Sequence, residues 1–266
     1  MRWVCQSGKA RLESTAFQER AGKCDARNRH ERIADSAGQR RDLNRPEGGA
    51  VNRQPSVPLI ICFGDSLTVG YQSPTPGSLQ ARETPYGDFL QELLGSTARV
   101  AISGVCGELT AEMAMRFRHD VLAHKPAYVV VLGGTNDLGW NARPADIMRN
   151  LLKMYELALA GGIRPVAVTV PSVRVEGGSQ GQEWIEEHIA RRRTLNRLIS
   201  DYCASKGVAC VDLFTATEEP GTGQLAAPYS NDGLHLTTDG YQCLAYLLYD
   251  HVFAAGLREA EGPAGS

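Results

Sequence analysis

The sequence predicts an α/β protein: a three-layer, doubly wound parallel sheet of five strands with helices on both faces. From residue 57 onward, short apolar runs alternate with longer segments of helical periodicity. Most of these runs are continuous rather than alternating, as expected for strands that are buried on both faces of a parallel sheet. Right-handed crossovers between such strands place helices on both sides of the sheet.

The elements follow in a regular order along the chain. The five predicted strands cover residues 57–63, 99–102, 127–132, 164–170 and 208–211. The predicted helices cover residues 86–94, 108–124, 144–160, 183–206 and 238–255. The third helix is the clearest, since its apolar residues fall on one face and Pro144 suits its first turn. In the fourth helix, the basic triplet 191–193 is predicted to be a solvated face.

The first 56 residues differ in composition from the rest. They carry 12 Lys and Arg against 7 Asp and Glu, whereas residues 57–266 carry 16 against 23. Because the segment shows no apolar period, we predict a disordered basic extension over 1–56 and one folded domain over 57–266. The whole chain has a net charge of −2, which gives no reason to expect a nucleic-acid partner.

Location and membrane association can also be judged from the sequence. The apolar runs are much shorter than the roughly 18 residues that a membrane-spanning helix needs. No secretory signal is readable at the start of the chain, so a cytoplasmic location is expected. Neither the seven cysteines nor the six histidines show the spacing of a metal site, and no metal or organic cofactor is predicted.

Ligands of doubly wound sheets bind beyond the carboxyl ends of the strands, and unusual residues follow several of the predicted strands. Ser66 follows the first strand, where its hydroxyl can project above the sheet edge, although it could equally belong to a helix cap. Gly104 follows the second strand in a glycine turn. Asn136 follows the third, where its amide could donate a hydrogen bond into the same cleft, or simply form a turn.

The last predicted connection contains a histidine with an acid nearby. Asp232 precedes His235 by three residues, and Gly233 between them allows a tight turn. A carboxylate at this spacing can orient the imidazole and leave one ring nitrogen free as a base. The other histidines lie in the extension or on predicted helices. Together the strand ends supply a nucleophile, a base, an orienting acid and donors for an oxyanion, which are the requirements of acyl transfer.

With these motifs the chain resembles the SGNH, or G-D-S-L, hydrolase superfamily over residues 58–255. The matching blocks are Phe63-Gly64-Asp65-Ser66-Leu67, Gly104, Gly134-Thr135-Asn136-Asp137 and Asp232-Gly233-Leu234-His235. Within the superfamily, the segment from Gly64 to Tyr71 is most similar to the arylesterase and thioesterase-type lysophospholipase branch. The second block departs from the usual pattern, because Ile102 stands where an asparagine is often found.

The resemblance implies a flavodoxin-like sheet and a role for each matched residue. Ser66 would be the nucleophile, His235 the base and Asp232 its partner. The oxyanion hole would be formed by the N–H groups of Ser66 and Gly104 and by the side-chain amide of Asn136. No cofactor is implied.

A second serine motif competes with Ser66. Residues 177–181 match G-x-S-x-G, the nucleophile-elbow pattern, with Ser179 as its serine. That motif needs a strand directly before it and a helix directly after it, and here a glycine-rich loop surrounds it. We therefore predict that Ser66, not Ser179, is the nucleophile.

The predicted function is hydrolysis of small carboxylic esters through an acyl-enzyme. The loops 72–85, 172–182 and 215–230 should shape the pocket, and its candidate walls are Tyr71, Trp140, Leu225 and Tyr229. Two alternatives stay open: an acyltransferase or thioesterase that uses the same site, and a non-catalytic flavodoxin-like binding module. The sequence does not indicate the oligomeric state.

Overall fold

The computed structural model of the chain describes residues 57–175 and 182–254. Five parallel strands form the central sheet in the order β4-β1-β5-β6-β7. They are β1 (Leu59–Gly64), β4 (Arg99–Gly104), β5 (Tyr128–Leu132), β6 (Arg164–Val168) and β7 (Ala209–Val211). Between β1 and β4, the short antiparallel strands β2 (Tyr71–Gln72) and β3 (Arg82–Glu83) pair with each other. The predicted fold class is confirmed.

The helices are numbered along the described residues. They are α1 (Ser66–Val69), α2 (Tyr86–Leu94), α3 (Thr110–Asp120), α4 (Thr135–Gly139), α5 (Pro144–Ala160), α6 (Gln182–Lys206), α7 (Leu213–Thr217) and α8 (Thr238–Leu248). Short 3-10 turns occupy Leu122–His124 and Ala227–Tyr229, and a π-helical turn at Tyr249–Phe253 extends α8. Among the described residues, no helix is both long and apolar enough to cross a bilayer.

The sheet separates two large apolar cores, because its strands are buried on both faces. Alternate residues of β1 illustrate this division: Ile61 and Phe63 pack with α3, α5 and α6, whereas Ile60 and Cys62 pack with α2 and α8. This arrangement explains the continuous apolar runs in the sequence. It also brings the carboxyl ends of β1, β4 and β5 side by side, so the segments that follow these strands meet at one edge.

The observed elements differ from the predicted ones in two respects. The five long helices and the five sheet strands lie within a few residues of their predicted bounds. The short helices α1, α4 and α7 and the β2–β3 ribbon were not predicted, because they contain too few residues for a periodic signal. The solvated face predicted for 191–193 is wrong at Arg192, which is fully buried. The extension predicted over 1–56 lies outside the described residues.

Candidate active site

Ser66 lies in a tight turn between β1 and α1. The side chain of Asp65 accepts a hydrogen bond from the Leu67 N–H at 2.9 Å and so caps this short helix, of which Ser66 is the first residue. The turn therefore combines the two interpretations of the sequence: Asp65 caps the helix, and Ser66 stands at its N-terminus. Ser66 is almost completely buried, with 1% of its surface exposed.

His235 lies next to Ser66 although 168 residues separate them in the chain. Its Nε2 is 3.1 Å from the Ser66 Oγ, and its Nδ1 is 2.8 Å from the Asp232 Oδ2. The ring is 2% exposed and makes an edge contact with the ring of Tyr71, at 4.7 Å between centroids. The hydroxyl, the imidazole and the carboxylate thus form one continuous hydrogen-bonded chain.

Asp232 is held as an anion by several donors. Its Oδ1 accepts the N–H groups of Leu234 and His235, each at 2.8 Å, and its Oδ2 accepts the hydroxyl of Ser73 at 2.5 Å. Burial raises the pKa of this carboxyl, but the hydrogen bonds and charge of His235 and the bond from Ser73 outweigh that effect and hold the pKa well below its usual range. Ser73 carries no signal in the sequence that predicts this role, since nothing in the 72–85 loop indicates a contact with residue 232.

The turn between Asp232 and His235 requires a glycine. Gly233 has φ +79°, and a Cβ at this position would lie 2.0 Å from the carbonyl oxygen of Arg174. The Arg174 N–H in turn donates to the Gly233 carbonyl at 2.8 Å. This close approach ties the turn to the loop after β6 and sets the position of the imidazole.

Asn136 lies on α4, directly after β5. Its Nδ2 donates to the carbonyl oxygen of Glu108 at 3.0 Å and lies 3.5 Å from the Asp65 Oδ2. Its Oδ1 is buried and has no hydrogen-bond partner among the described residues. The next residue, Asp137, accepts hydrogen bonds from the N–H and hydroxyl of Thr110. The segment predicted at the end of the third strand is therefore bonded to the start of α3.

Gly104 lies beside the turn that carries Ser66. It closes β4 opposite Gly64, and the bond to β1 is made by the next residue, with Val105 N 3.0 Å from the Gly64 carbonyl oxygen. A Cβ here would lie 2.6 Å from the Val69 nitrogen and 2.9 Å from the Asp65 carbonyl oxygen. The observed role of Gly104 is to let the Ser66 turn pack on the end of β4.

The four predicted pocket residues separate into two groups. Tyr71 contacts the His235 ring, and Trp140, directly after α4, is 56% exposed. Leu225 is wrong as a pocket wall, because it is fully buried in the core on the α2–α8 side of the sheet. Tyr229 packs against the same core. A loop leucine that lies in the core cannot be distinguished by sequence from one that lines a cavity.

Asp65 has an unusual environment for a carboxyl group. It is fully buried, and burial is the main reason that its pKa is raised to about 7; the nearby charges of Asp137 and Glu108 raise it further. The hydrogen bond from Leu67 and the charge of Arg116 act in the opposite direction. The residue before Ser66 therefore titrates near neutral pH.

Ser179, the serine of the competing motif, lies outside the described residues. Within the part of the chain that the structure describes, no three side chains of His, Cys, Asp or Glu are grouped as metal ligands. The arrangement around Ser66 fits attack of a hydroxyl on an electrophilic carbon, with proton transfer to the adjacent imidazole.

Residues 62–243 match the family model described as the GDSL-like lipase/acylhydrolase family. A curated relative, the uncharacterized lipoprotein YqeF of Bacillus subtilis, is 27% identical over 129 residues, which are 44% of this chain and about half (51%) of that protein. A GDSL-like lipase from Bacteroides thetaiotaomicron superposes with a TM-score of 0.62 at 19% identity, covering 88% of this chain and 98% of that one. The aryl esterase of M. smegmatis gives 0.60 at 20% identity, with 74% and 99% covered. At these identities the two structures establish a shared fold.

Proposed function

Because the chain belongs to the GDSL-like lipase/acylhydrolase family, we propose that it is a serine esterase that hydrolyses small carboxylic esters through an acyl-enzyme. One observation carries the proposal: the Nε2 of His235 lies 3.1 Å from the Ser66 Oγ while its Nδ1 lies 2.8 Å from Asp232. This is hydrogen-bond distance for proton transfer from a nucleophile to an oriented base.

Ser66 begins the reaction by attacking the ester carbonyl carbon. As the Oγ–C bond forms, the hydroxyl proton passes to the Nε2 of His235, and Asp232 stabilises the imidazolium through Nδ1. The tetrahedral intermediate collapses when the bond to the leaving oxygen breaks and that oxygen takes the proton from His235. Water then attacks the acyl-enzyme, His235 accepts its proton, and the carboxylic acid leaves as Ser66 is reprotonated.

The oxyanion needs donors that are already in position. We assign this role to the N–H of Ser66 and to the side-chain amide of Asn136. One Nδ2 proton of Asn136 is used by the Glu108 carbonyl, and the second faces Asp65 only at 3.5 Å, so it can turn to an oxyanion. We assign the third donor to the N–H of Gly104, because this residue lies beside the turn that carries Ser66.

The residues around the imidazole indicate which class of ester the site accepts. Tyr71 covers one side of His235, and Trp140 is exposed at the end of α4. Together with polar loops on this edge, they favour small, soluble esters over triglycerides. The similar fold of an aryl esterase supports the same class of substrate. Rates for p-nitrophenyl esters from acetyl to decanoyl should fall as the acyl chain lengthens.

Covalent labelling tests the proposal directly. A fluorophosphonate probe should label the purified protein, and Ser66→Ala should abolish both labelling and p-nitrophenyl acetate hydrolysis. Ser179→Ala is the matched control and should keep both, while Asn136→Ala should slow turnover by a hundredfold or more. If Ser66→Ala is labelled and active while Ser179→Ala is not, the nucleophile assignment is wrong. Transfer of the acetyl group to added alcohol in preference to water would identify an acyltransferase.

A further inference from the structure

We propose that Arg116 is a positioning residue that holds the Ser66 turn and Asn136 in their mutual geometry. This inference rests on the proposed esterase function. Arg116 lies on α3, and its side chain is 10% exposed. It contacts the backbone before Ser66 and a residue that holds Asn136. It therefore acts through these groups and is not itself a catalytic residue.

The guanidinium joins the ends of two neighbouring strands. Its Nη2 donates to the carbonyl oxygens of Gly64 at 2.9 Å and Ser103 at 3.2 Å, and its Nη1 donates to the Ser103 hydroxyl at 2.7 Å. The Gly64 carbonyl belongs to the peptide directly before Asp65. Because that peptide is planar, a bond to its oxygen fixes the orientation at which the chain enters the Ser66 turn.

The same side chain also reaches Asn136 through Glu108. The Nε of Arg116 lies 2.8 and 2.7 Å from the two carboxylate oxygens of Glu108, and Nη2 pairs with the same carboxylate at 2.6 Å. The backbone carbonyl of Glu108 is the acceptor for the Asn136 Nδ2 at 3.0 Å. These contacts of Nε and Nη2 with one carboxylate limit the movement of Glu108, and through its carbonyl they orient the amide of Asn136.

The surroundings leave the guanidinium little freedom. Its Cζ lies 4.0 Å from the ring centroid of Phe63, and Nη1 pairs with Asp120 at 2.8 Å. The side chains of Glu108 and Asp120 are 6% and 11% exposed, so this cation stabilises two carboxylates that are largely shielded from water; Asp120 also lies 2.7 Å from the Nδ1 of His119. A planar group with five donors can serve two strand ends and two carboxylates at once, whereas an ammonium cannot.

A positioning role predicts a specific kinetic effect. The tetrahedral intermediate depends on donors at fixed positions, whereas the bound ester makes weaker demands on them. Loss of Arg116 should therefore lower kcat by about 10- to 100-fold and leave KM within about threefold, since an oxyanion donor is misaligned rather than removed. Affinity for an oxyanion mimic such as phenylboronic acid should fall in proportion to kcat/KM.

The experiment compares Arg116→Met and Arg116→Lys with a control at a helix residue, Gln91, that bonds to the opposite end of β4. Gln91 binds backbone groups at the amino end of β4: its side chain accepts from Val100 N at 2.8 Å and donates to the Ala98 carbonyl at 3.1 Å. Gln91→Ala weakens β4 without touching its carboxyl end. For each protein, kcat per active site titrated with a fluorophosphonate, KM and the phenylboronic acid inhibition constant are measured well below the unfolding temperature.

The outcomes separate positioning from general support of the fold. We expect both Arg116 variants to lose kcat and phenylboronic acid affinity while Gln91→Ala keeps both, with Arg116→Lys less impaired than Arg116→Met. If Arg116→Met does not fold, Arg116→Lys decides by the same criteria. Unchanged kcat per titrated site, or a loss confined to KM, overturns the role of Arg116. That result leaves the esterase function intact as long as Ser66→Ala is inactive; an active Ser66→Ala overturns both.

Discussion

Two arginines lie at the carboxyl end of the sheet, and they differ in whether a carboxylate balances their charge. Arg116, at the β1–β4 side, pairs with Glu108 and Asp120. Arg192, at the β5–β6 side, is fully buried, and no carboxylate pairs with it within the described residues. Its Nε donates to the Pro171 carbonyl at 3.1 Å, its Nη2 lies 3.4 Å from the Thr135 hydroxyl, and its Nη1 has no partner there.

Of these two arginines, only the one on the Ser66 side of the sheet edge forms ion pairs within the described residues. The compensated cation lies beneath the turn that carries Ser66 and beside the residue that holds Asn136. Arg192, which has no carboxylate partner within the described residues, reaches the segment that carries Asn136 only through its contact with the Thr135 hydroxyl. Burial, with a smaller effect of Arg191, lowers the pKa of Arg192 to about 9. Removing one partner of a buried ion pair is costly, whereas removing a buried charge without a counter-ion is not.

The largest expected effect is on the Arg116 side. Arg116→Met removes the guanidinium that pairs with the carboxylates of Glu108 and Asp120, although Asp120 keeps its contact with His119. This loss should lower the free energy of unfolding by about 3–5 kcal/mol at pH 7. Urea denaturation followed by circular dichroism measures this change. A loss below about 1 kcal/mol would show that the two arginines are energetically alike.

A smaller effect is expected at Asp65, which stays hard to ionise even beside Arg116. Its pKa in the folded protein is about 7 against 3.8 as the ordinary value, so the folded state binds the extra proton between these pH values. Its contribution to stability is present below pH 4 and is lost as the pH rises through 7. Relative to Asp65→Asn, the wild type should lose on the order of 2–4 kcal/mol of unfolding free energy between pH 4 and pH 8. Parallel pH profiles of the two proteins would contradict this.

On the other side, Arg192→Met should change the unfolding free energy by no more than about 1 kcal/mol at pH 7, or raise it, because no buried carboxylate loses its partner. Paired urea titrations of the two proteins at pH 7 measure this difference.

The smallest effect is expected for Thr135→Val. The contact that this substitution removes from Arg192 is long, at 3.4 Å, and should contribute less than about 0.5 kcal/mol. The thermal midpoint should stay within about 2 °C of that of the wild type. A clear drop would mean that Thr135 anchors Arg192 more strongly than its distance indicates.

The sequence predicted the sheet well because each strand carries its own local signal. The runs that became β1 and β5 are apolar throughout, and the stripe of α5 lies on one helical face, so burial and periodicity identify them without knowledge of their neighbours. The segments that meet at the carboxyl edge were also predictable, since parallel strands end together. The short helix at Ser66 was not, because four residues contain no period.

What the sequence determined by itself is the order of strands and helices and the residue types at the strand ends, since both depend on local pattern. Only the tertiary structure decided that Ser73 reaches Asp232, that Leu225 enters the core, and that Arg116 lies beneath the Ser66 turn. Arg192 illustrates the reason: it stands in a basic triplet that suggests solvent, yet α6 turns it toward the sheet. Contacts between distant segments depend on how whole elements pack, and no local pattern in the chain records that packing.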